Sequence, residues 1–112
     1  MTTIFSKIIN REIPADIVYE DDLCLAFKDI NPQAPVHVQL IPKKEIPKVS
    51  DAGSEDQNLL GHLLLTAAEV ARRLGVDDAF RVVINNGAGA QQTVFHLHLH
   101  ILAGRPFHWP PG

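Results

Sequence analysis

Apolar residues in the first part of the chain are spaced first with the period of a helix and then with that of strands. Four of them recur at helical spacing within residues 4–11, and Pro14 ends the predicted helix. The β-favouring runs 17–20 and 23–28 are separated by two aspartates, which predicts a hairpin. Residues 36–41 alternate between apolar and polar positions and predict a third strand.

One long helix follows in the middle of the chain. Ser54, with Gln57 three residues later, resembles a capping box at its start, and Gly75 suits its C-terminal end. An apolar stripe at helical spacing gives this helix one side that faces the core. The stripe consists of Leu60, Leu63, Ala67, Val70, Ala71 and Leu74.

Two more strands are predicted after the helix, at residues 80–85 and 94–102. Strands on both sides of one long helix predict an α+β domain, with a mostly antiparallel sheet of about five strands and one long and one short helix. At 112 residues the chain is expected to form a single domain, residues 1–112. Residues 103–112 are proline-rich and carry the only tryptophan, Trp109, which predicts a docked C-terminal tail.

Composition and charge exclude several classes of function. A net charge of −3 provides no basic surface for nucleic-acid binding, so a small nucleotide is a better expectation than a nucleic acid. Cys24, the only cysteine, excludes an internal disulfide, and its apolar surroundings predict a buried thiol in a cytoplasmic protein. No apolar stretch approaches the length that spans a bilayer, and the N-terminus does not resemble a signal peptide, so no membrane partner is expected.

Three histidines alternate in the sequence HLHLH, residues 96–100. In a continuous strand they share one face, while Phe95, Leu97 and Leu99 share the opposite, core-facing side. Three interpretations compete: a solvated face, a zinc site and a catalytic surface. Lysine, glutamate, threonine and serine are commoner than histidine on a solvated face, and a closed zinc site usually needs thiolates that the chain lacks.

Catalysis is the third interpretation of the histidines. An ordinary imidazole has a pKa near 6.5, so it can act as nucleophile, base or acid at neutral pH. The preceding loop NGAGAQQT offers glycines, backbone N–H groups and the Thr93 hydroxyl, from which phosphate-binding loops are built. The combination points to phosphate chemistry.

These residues resemble a known family. The segment QTVFHLHLHIL is similar to the signature of the histidine triad family. IFSKIINREIPADIVYEDDLCLAFKDINPQAPVHVQLIPKK and the ending GRPFHWPPG resemble its branch of histidine triad nucleotide-binding proteins. The resemblance implies a homodimeric purine nucleoside phosphoramidase acting on AMP or GMP conjugates, without metal or other cofactor, whose sheet extends across the dimer.

The same resemblance implies a role for each histidine. His98 would attack the α-phosphorus, and His100 would bind the phosphate. His96 would orient and polarise His98, and His37 would complete the proton network. Thr93 would bond the phosphate or the leaving nitrogen.

Further residues are implied in substrate binding. Asp29 would take the ribose hydroxyls, and Asn85 and Gln92 would lie at the phosphate site. Trp109 would reach the partner's active site and shape the leaving-group pocket. An apolar slot for the purine would be formed by Ile4, Phe5, Ile8, Phe27 and Ile30. Core packing is an equally good explanation for Ile8 and Phe27.

The chain departs from the family pattern at one position. Where relatives usually have Gly-Gly-Gln, this chain has Ala90-Gln91-Gln92. Because positive φ strains a residue with a side chain, we expect Gln91 to have negative φ, a solvent-facing side chain and an amide still near the phosphate.

Three alternative functions differ in how well they fit the sequence. Nucleotidylyl transferases of the same superfamily replace the last histidine with glutamine, whereas this chain has His100. Dinucleoside polyphosphate hydrolases share the histidines, although the WPPG ending favours the phosphoramidase branch. The protein could also be a nucleotide-binding regulatory module whose enzymatic activity is incidental.

Overall fold

The computed structural model describes residues 2–112. Helix α1 spans Ile4–Ile9 and helix α2 spans Gln57–Arg73. The strands are β1 (Ile17–Glu20), β2 (Cys24–Lys28), β3 (Val36–Pro42), β4 (Phe80–Val83) and β5 (Leu99–Ala103). Short 3₁₀ turns occupy Val49–Asp51, Ser54–Asp56 and Ala88–Ala90.

The five strands form one antiparallel sheet in the order β1-β2-β3-β5-β4. The predicted hairpin of β1 and β2 is confirmed. The predicted fold class, an α+β domain with one long and one short helix, is confirmed as well. β5 lies inside the sheet between β3 and β4, so its ends are held from both sides.

The two helices cover opposite faces of the sheet, because neighbouring residues of a strand point to opposite sides. On one face α2 packs through Leu63, Ala67 and Val70 against a core that includes Ala26 and Leu40. On the other face α1 contributes to a smaller apolar cluster, formed by Phe5, Ile8, Leu25, Phe27 and Ile41. The groove beside α1 therefore opens on the second face.

Each helix begins in a different way. Thr3 caps α1 through a reciprocal bond pair with Ser6. The predicted capping of α2 by Ser54 is wrong, because Ser54 starts a 3₁₀ turn and the Asp56 carboxylate accepts the Gly53 N–H at 3.0 Å. Gly75 has φ of +73° just after α2 and ends it as predicted.

β5 is shorter than predicted, and residues 94–98 are not part of it. Its ladder with β3 ends at the pair Leu40–Leu99, two residues before Pro42, which has no N–H to donate. The segment then uses other partners, including a bond from the Leu97 N–H to the Ile46 carbonyl at 2.7 Å. Strict alternation fails as a result: Phe95, expected in the core, is 45% exposed.

The C-terminal residues contact the domain through Arg81. Its guanidinium donates to the His108 carbonyl at 2.9 Å and lies 5.0 Å from the centre of the Phe107 ring. Trp109 itself is 83% exposed in the single chain. Among residues 2–112, neither helix has the length and apolarity to cross a membrane.

Candidate active site

His98 is held in one orientation by the main chain of His96. Its Nδ1 lies 2.8 Å from the His96 carbonyl oxygen. Because a carbonyl only accepts, Nδ1 must carry the proton, and Nε2 of neutral His98 therefore has a free lone pair. The His98 ring lies edge-to-face with Phe5 at 5.0 Å, which fixes its tilt further. These contacts leave Nε2 with the protonation state of a nucleophile.

The next histidine pair has a fixed proton arrangement too. The Gln33 N–H donates to His37 Nδ1 at 3.0 Å, so the proton of neutral His37 is on Nε2. His37 Nε2 lies 2.9 Å from His100 Nδ1, to which it donates. His100 must then carry its own proton on Nε2. A neutral His100 thus offers an N–H group, which suits an anionic oxygen.

Asp29 is fixed beside this pair by polar neighbours. Its Oδ2 accepts from the Gln39 side chain at 2.7 Å and lies 3.4 Å from His37 Nε2. Its Oδ1 accepts the Asn31 N–H at 2.8 Å. Each carboxylate oxygen has a second lone pair, so Asp29 can still accept bonds from a ligand hydroxyl.

Burial favours the neutral form of three histidines at this site, His98, His100 and His37. It lowers the pKa of His98, an effect that the His96 carbonyl partly opposes. Burial also lowers the pKa of His100 to about 4, helped by the neighbouring His98 and His37. The pKa of His37 is lowered by burial as well, against the attraction of Asp29. Each of these three imidazoles is therefore mostly neutral at pH 6.5.

His96 supports the site from behind. Its side chain is 1% exposed, and its Nε2 donates to the Pro42 carbonyl at 2.7 Å. Its Nδ1 has no hydrogen-bond partner among the described residues. It touches His98 through its main-chain oxygen, so the ring of His96 anchors the segment and its backbone orients His98.

A cavity of about 410 Å³ lies in front of these histidines. One end is apolar and is formed by α1, residues 13–15 and the end of β2. The other end is polar and includes His98 and His100. The lining residues are Ile4, Phe5, Ile8, Ile13, Pro14, Ala15, Phe27, Lys28, Asp29, Ile30, Gln39, Asn85, Gln91, Thr93, Val94, His98 and His100.

The cavity brings together most of the residues singled out in the sequence. Phe5, Ile8 and Phe27 belong both to the cavity and to the smaller core cluster, so neither explanation excludes the other. Four expected site residues do not line it: His37 and His96 lie behind it, Gln92 lies in the loop that borders it, and Trp109 lies in the C-terminal tail.

The side chain of Gln92 forms hydrogen bonds that hold the loop at the border of the cavity. Its side chain is 2% exposed; Oε1 accepts the Gly87 N–H at 2.8 Å, and Nε2 donates to the carbonyls of Pro47 (2.7 Å) and Val94 (3.0 Å). These bonds close residues 87–92 into a rigid turn. Gln92 therefore positions the loop.

The expectation of negative φ at Gln91 is wrong. Gln91 has φ of +69° and ψ of 28°, because its N–H bonds to the Ala88 carbonyl at the end of a 3₁₀ turn. Its side chain is exposed as expected, and it also lines the cavity. The closed turn overrides the residue's own preference for negative φ.

Gln39 was missed in the sequence although a signal was present. It lies two residues after His37, on the same face of β3, and pairs with His100 of β5. Alternation along β3 is enough to place it on the same face as His37. The backbone groups that bond the histidines are the Gln33 N–H and the Pro42 carbonyl. No sequence pattern predicts these two contacts.

Two groups of side chains bring possible metal ligands together. In the first, Asp29, His37 and His100, the tautomer of His37 opposes binding, because Nδ1 accepts a backbone N–H and Nε2 is protonated. In the second, Asp21 accepts from Tyr19 and two backbone N–H groups, and burial raises the pKa of the Cys24 thiol to about 12. The buried thiol predicted for Cys24 is confirmed.

Comparison with known proteins shows the family of the chain. Residues 10–107 match the model of the HIT domain family. An uncharacterized HIT-like protein of Synechocystis sp. is 76% identical over 110 residues, covering 98% of this chain and 96% of that protein. The 14 kDa zinc-binding protein of Zea mays is 50% identical over 112 residues, covering 98% of this chain and 88% of that protein.

Solved structures agree in fold as well. A HIT family hydrolase from Legionella pneumophila superposes with a TM-score of 0.96 at 45% identity, covering 99% of this chain and 100% of that one. A histidine triad nucleotide-binding protein from Candida albicans gives 0.83 at 30% identity, covering 99% and 85%. Since the family match covers residues 10–107, which include the three histidines, the chain belongs to the HIT domain family.

Proposed function

We propose that the protein is a hydrolase of the histidine triad nucleotide-binding branch that cleaves the P–N bond of purine nucleoside phosphoramidates. The observation that carries the proposal is the bond from His98 Nδ1 to the His96 carbonyl, which leaves Nε2 unprotonated beside the cavity. The names of the hydrolase from Legionella pneumophila and the nucleotide-binding protein from Candida albicans support this reaction class.

The cavity has the composition that a nucleotide needs. Its apolar end, with Phe5, Ile8 and Phe27, suits a purine ring. The Asp29 carboxylate suits the ribose hydroxyls. The polar end, with Asn85, Thr93 and the His100 N–H, suits the phosphate. In this arrangement the α-phosphorus faces His98.

The reaction then proceeds in two displacements. His98 Nε2 attacks the phosphorus, the P–N bond to the amine breaks, and the departing nitrogen takes a proton from solvent. The Thr93 hydroxyl bonds the phosphate or the leaving nitrogen. Water next attacks the nucleotidyl-histidine, the bond to Nε2 breaks, and the nucleoside monophosphate and neutral His98 are released. One water is consumed and no metal is required.

A homodimer is part of the proposal because an apolar surface is left uncovered. Leu65 is 73% exposed on α2, close in sequence to the half-exposed Leu64, and Ile84 follows the edge strand β4. Leu64 and Ile84 border an apolar hollow of about 170 Å³. A second copy related by a two-fold axis would cover this surface. The buried thiol of Cys24 suits the reducing cytoplasm as the location.

Trapping the intermediate tests the proposed reaction. The purified protein is mixed with an adenosine 5′-phosphoramidate, quenched within one turnover and analysed as peptides by mass spectrometry. We expect AMP attached to the peptide that contains His98. Faster turnover of a diadenosine polyphosphate would instead favour the dinucleoside polyphosphate hydrolases. Nucleotide binding without turnover of either compound would favour a regulatory module.

A further inference from the structure

Gln91 has a strained backbone at the edge of the proposed active site. Its positive φ costs about 1 kcal/mol for a residue with a side chain, and glycine would avoid that cost. The turn that imposes this conformation is closed by the side chain of Gln92. Among residues 2–112, nothing hydrogen-bonds the Gln91 carboxamide, although it lines the cavity. The chain thus holds a free donor and acceptor where a ligand would pass.

The expected reaction geometry relates this position to the leaving group. In a direct displacement at phosphorus, nucleophile and leaving group lie on opposite sides of the phosphorus atom. His98 is buried at the inner wall, so the leaving group points towards the cavity mouth. Among the polar lining residues, Lys28, Gln91 and Thr93 are exposed, and Lys28 is paired with Asp16 at 3.5 Å. Thr93 carries a short hydroxyl, whereas Gln91 reaches further with both a donor and an acceptor.

We propose that Gln91 is a specificity residue whose carboxamide hydrogen-bonds a polar, uncharged substituent on the amine that leaves the phosphorus. The inference rests on the proposed phosphoramidase function and names its leaving-group class. A carboxamide fits because it donates and accepts, as Gln91 does. A plain hydrocarbon amine gives Gln91 no partner.

Two substrates of similar shape test the assignment. One is AMP joined through nitrogen to alaninamide, and the other is AMP joined to the branched hydrocarbon amine of matching shape. The measured quantity is the ratio of their kcat/KM values, because effects on the shared nucleotide cancel in that ratio. We expect the wild-type protein to prefer the alaninamide conjugate.

Two variants separate the side chain from the backbone. Gln91→Gly removes the carboxamide and relieves the strain, whereas Gln91→Ala removes the carboxamide and keeps the strain. Since a neutral hydrogen bond is lost in both, the ratio should fall by about 3- to 10-fold in each. Gln57→Ala, at the exposed start of α2, is the matched control and should leave the ratio unchanged. A ratio that changes only in the glycine variant, or in neither, overturns the assignment.

The same ligands distinguish this inference from the proposed function. Should the wild-type protein hydrolyse neither conjugate, the proposed function fails, and the preference is then measured as a ratio of Kd values by calorimetry. If the wild-type protein binds the alaninamide conjugate more tightly and Gln91→Ala abolishes that preference, the specificity assignment holds. Equal affinities, or no binding of either conjugate, would overturn it as well.

Discussion

The Nδ1 atom of His98 lies 2.8 Å from the main-chain oxygen of His96, so the orientation of one histidine depends on the backbone of another two residues earlier. The His96 ring is in turn bonded to the Pro42 carbonyl, across 54 positions of sequence. Hydrogen bonds thus link the Pro42 carbonyl to the His96 ring and the His96 backbone to the His98 ring. Because the His96 carbonyl accepts from Nδ1, the proton of neutral His98 lies on Nδ1 and Nε2 is left unprotonated. The first prediction follows from this proton position.

Replacing His98 by alanine should lower the rate of phosphoramidate hydrolysis by about 10³-fold or more, because the covalent route has no substitute nucleophile. Nucleotide affinity should largely survive, since the purine and ribose contacts are unchanged. The check is kcat from steady-state assays together with Kd for AMP by calorimetry. His62→Gln, on α2 and outside the cavity, is the control. A His98→Ala protein with a tenth of the wild-type rate would contradict the role of His98.

The pH dependence of the rate follows from the lowered pKa values. The neutral form of His98 is required, and burial lowers its pKa below 6.5. Activity should therefore persist as pH falls through 6.5 and decline only at lower pH. The kcat/KM profile of the free enzyme measures this pKa directly. An acidic limb centred at or above 6.5 would show that His98 is not desolvated as described.

Stability should depend on pH in a related way. The pKa of His100 is lowered to about 4 in the folded protein, against about 6.5 when unfolded. Between those values the unfolded chain binds the extra proton, so this contribution is complete above pH 6.5 and is lost as pH falls towards 4. Urea unfolding of the wild-type protein and of His100→Gln, from pH 7 to pH 4.5, measures the effect.

Other titratable groups contribute equally to the pH-dependent stability of the wild-type protein and of His100→Gln. Their contributions therefore cancel when the two proteins are compared. The stability of the wild-type protein relative to the variant should fall as pH is lowered, with a slope of up to about 1.4 kcal/mol per pH unit. Two parallel curves would mean that His100 titrates at its ordinary pKa when folded.

Replacing Gln92 by alanine should loosen the loop at residues 87–92. The change removes partners from the Gly87 N–H and from the carbonyls of Pro47 and Val94, so unfolding free energy should drop by about 1–3 kcal/mol. Activity should fall too, because Thr93 and Gln91 are positioned by this loop. Chemical denaturation and kcat/KM provide the measurements, with Gln57→Ala as control. Unchanged stability would mean that the loop is held by other contacts.

The strands and helices could be predicted because their signals are local. Residues 36–41 form strand β3 and the residues with helical spacing form α2, as the sequence predicts. The Cys24 thiol is buried, also as predicted. The Asp29–His37–His100 cluster could not be deduced from spacing alone, since it joins three separate segments.

The failures have long-range causes. Residues 94–98 alternate like a strand, yet the ladder ends because β3 reaches Pro42, and the His96 ring bonds to that residue's carbonyl. Positive φ at Gln91 arises from a turn that the next residue closes through a contact with Pro47, far away in sequence. Local preference cannot reveal either contact.

The C-terminal tail offers the last prediction. Arg81 holds the tail at Phe107 and His108 and leaves Trp109 exposed, in a position to meet a second copy of the chain. In the proposed dimer, we expect Trp109 to shape the leaving-group pocket of the partner. Removing residues 106–112 should therefore change the preference among amines more than it changes the affinity for AMP. The ratio of kcat/KM values for two amine conjugates and the Kd of AMP measure the two effects.

Trp109→Ala separates the tryptophan from the rest of the tail, because it keeps the bond between Arg81 and the His108 carbonyl. It should reproduce the changed preference of the truncated protein, since the indole is the part expected to face the amine. Sedimentation at micromolar concentration supplies the independent check. A monomeric mass for the wild-type protein would contradict the dimer, and a preference that truncation alters while Trp109→Ala does not would assign the effect to another tail residue.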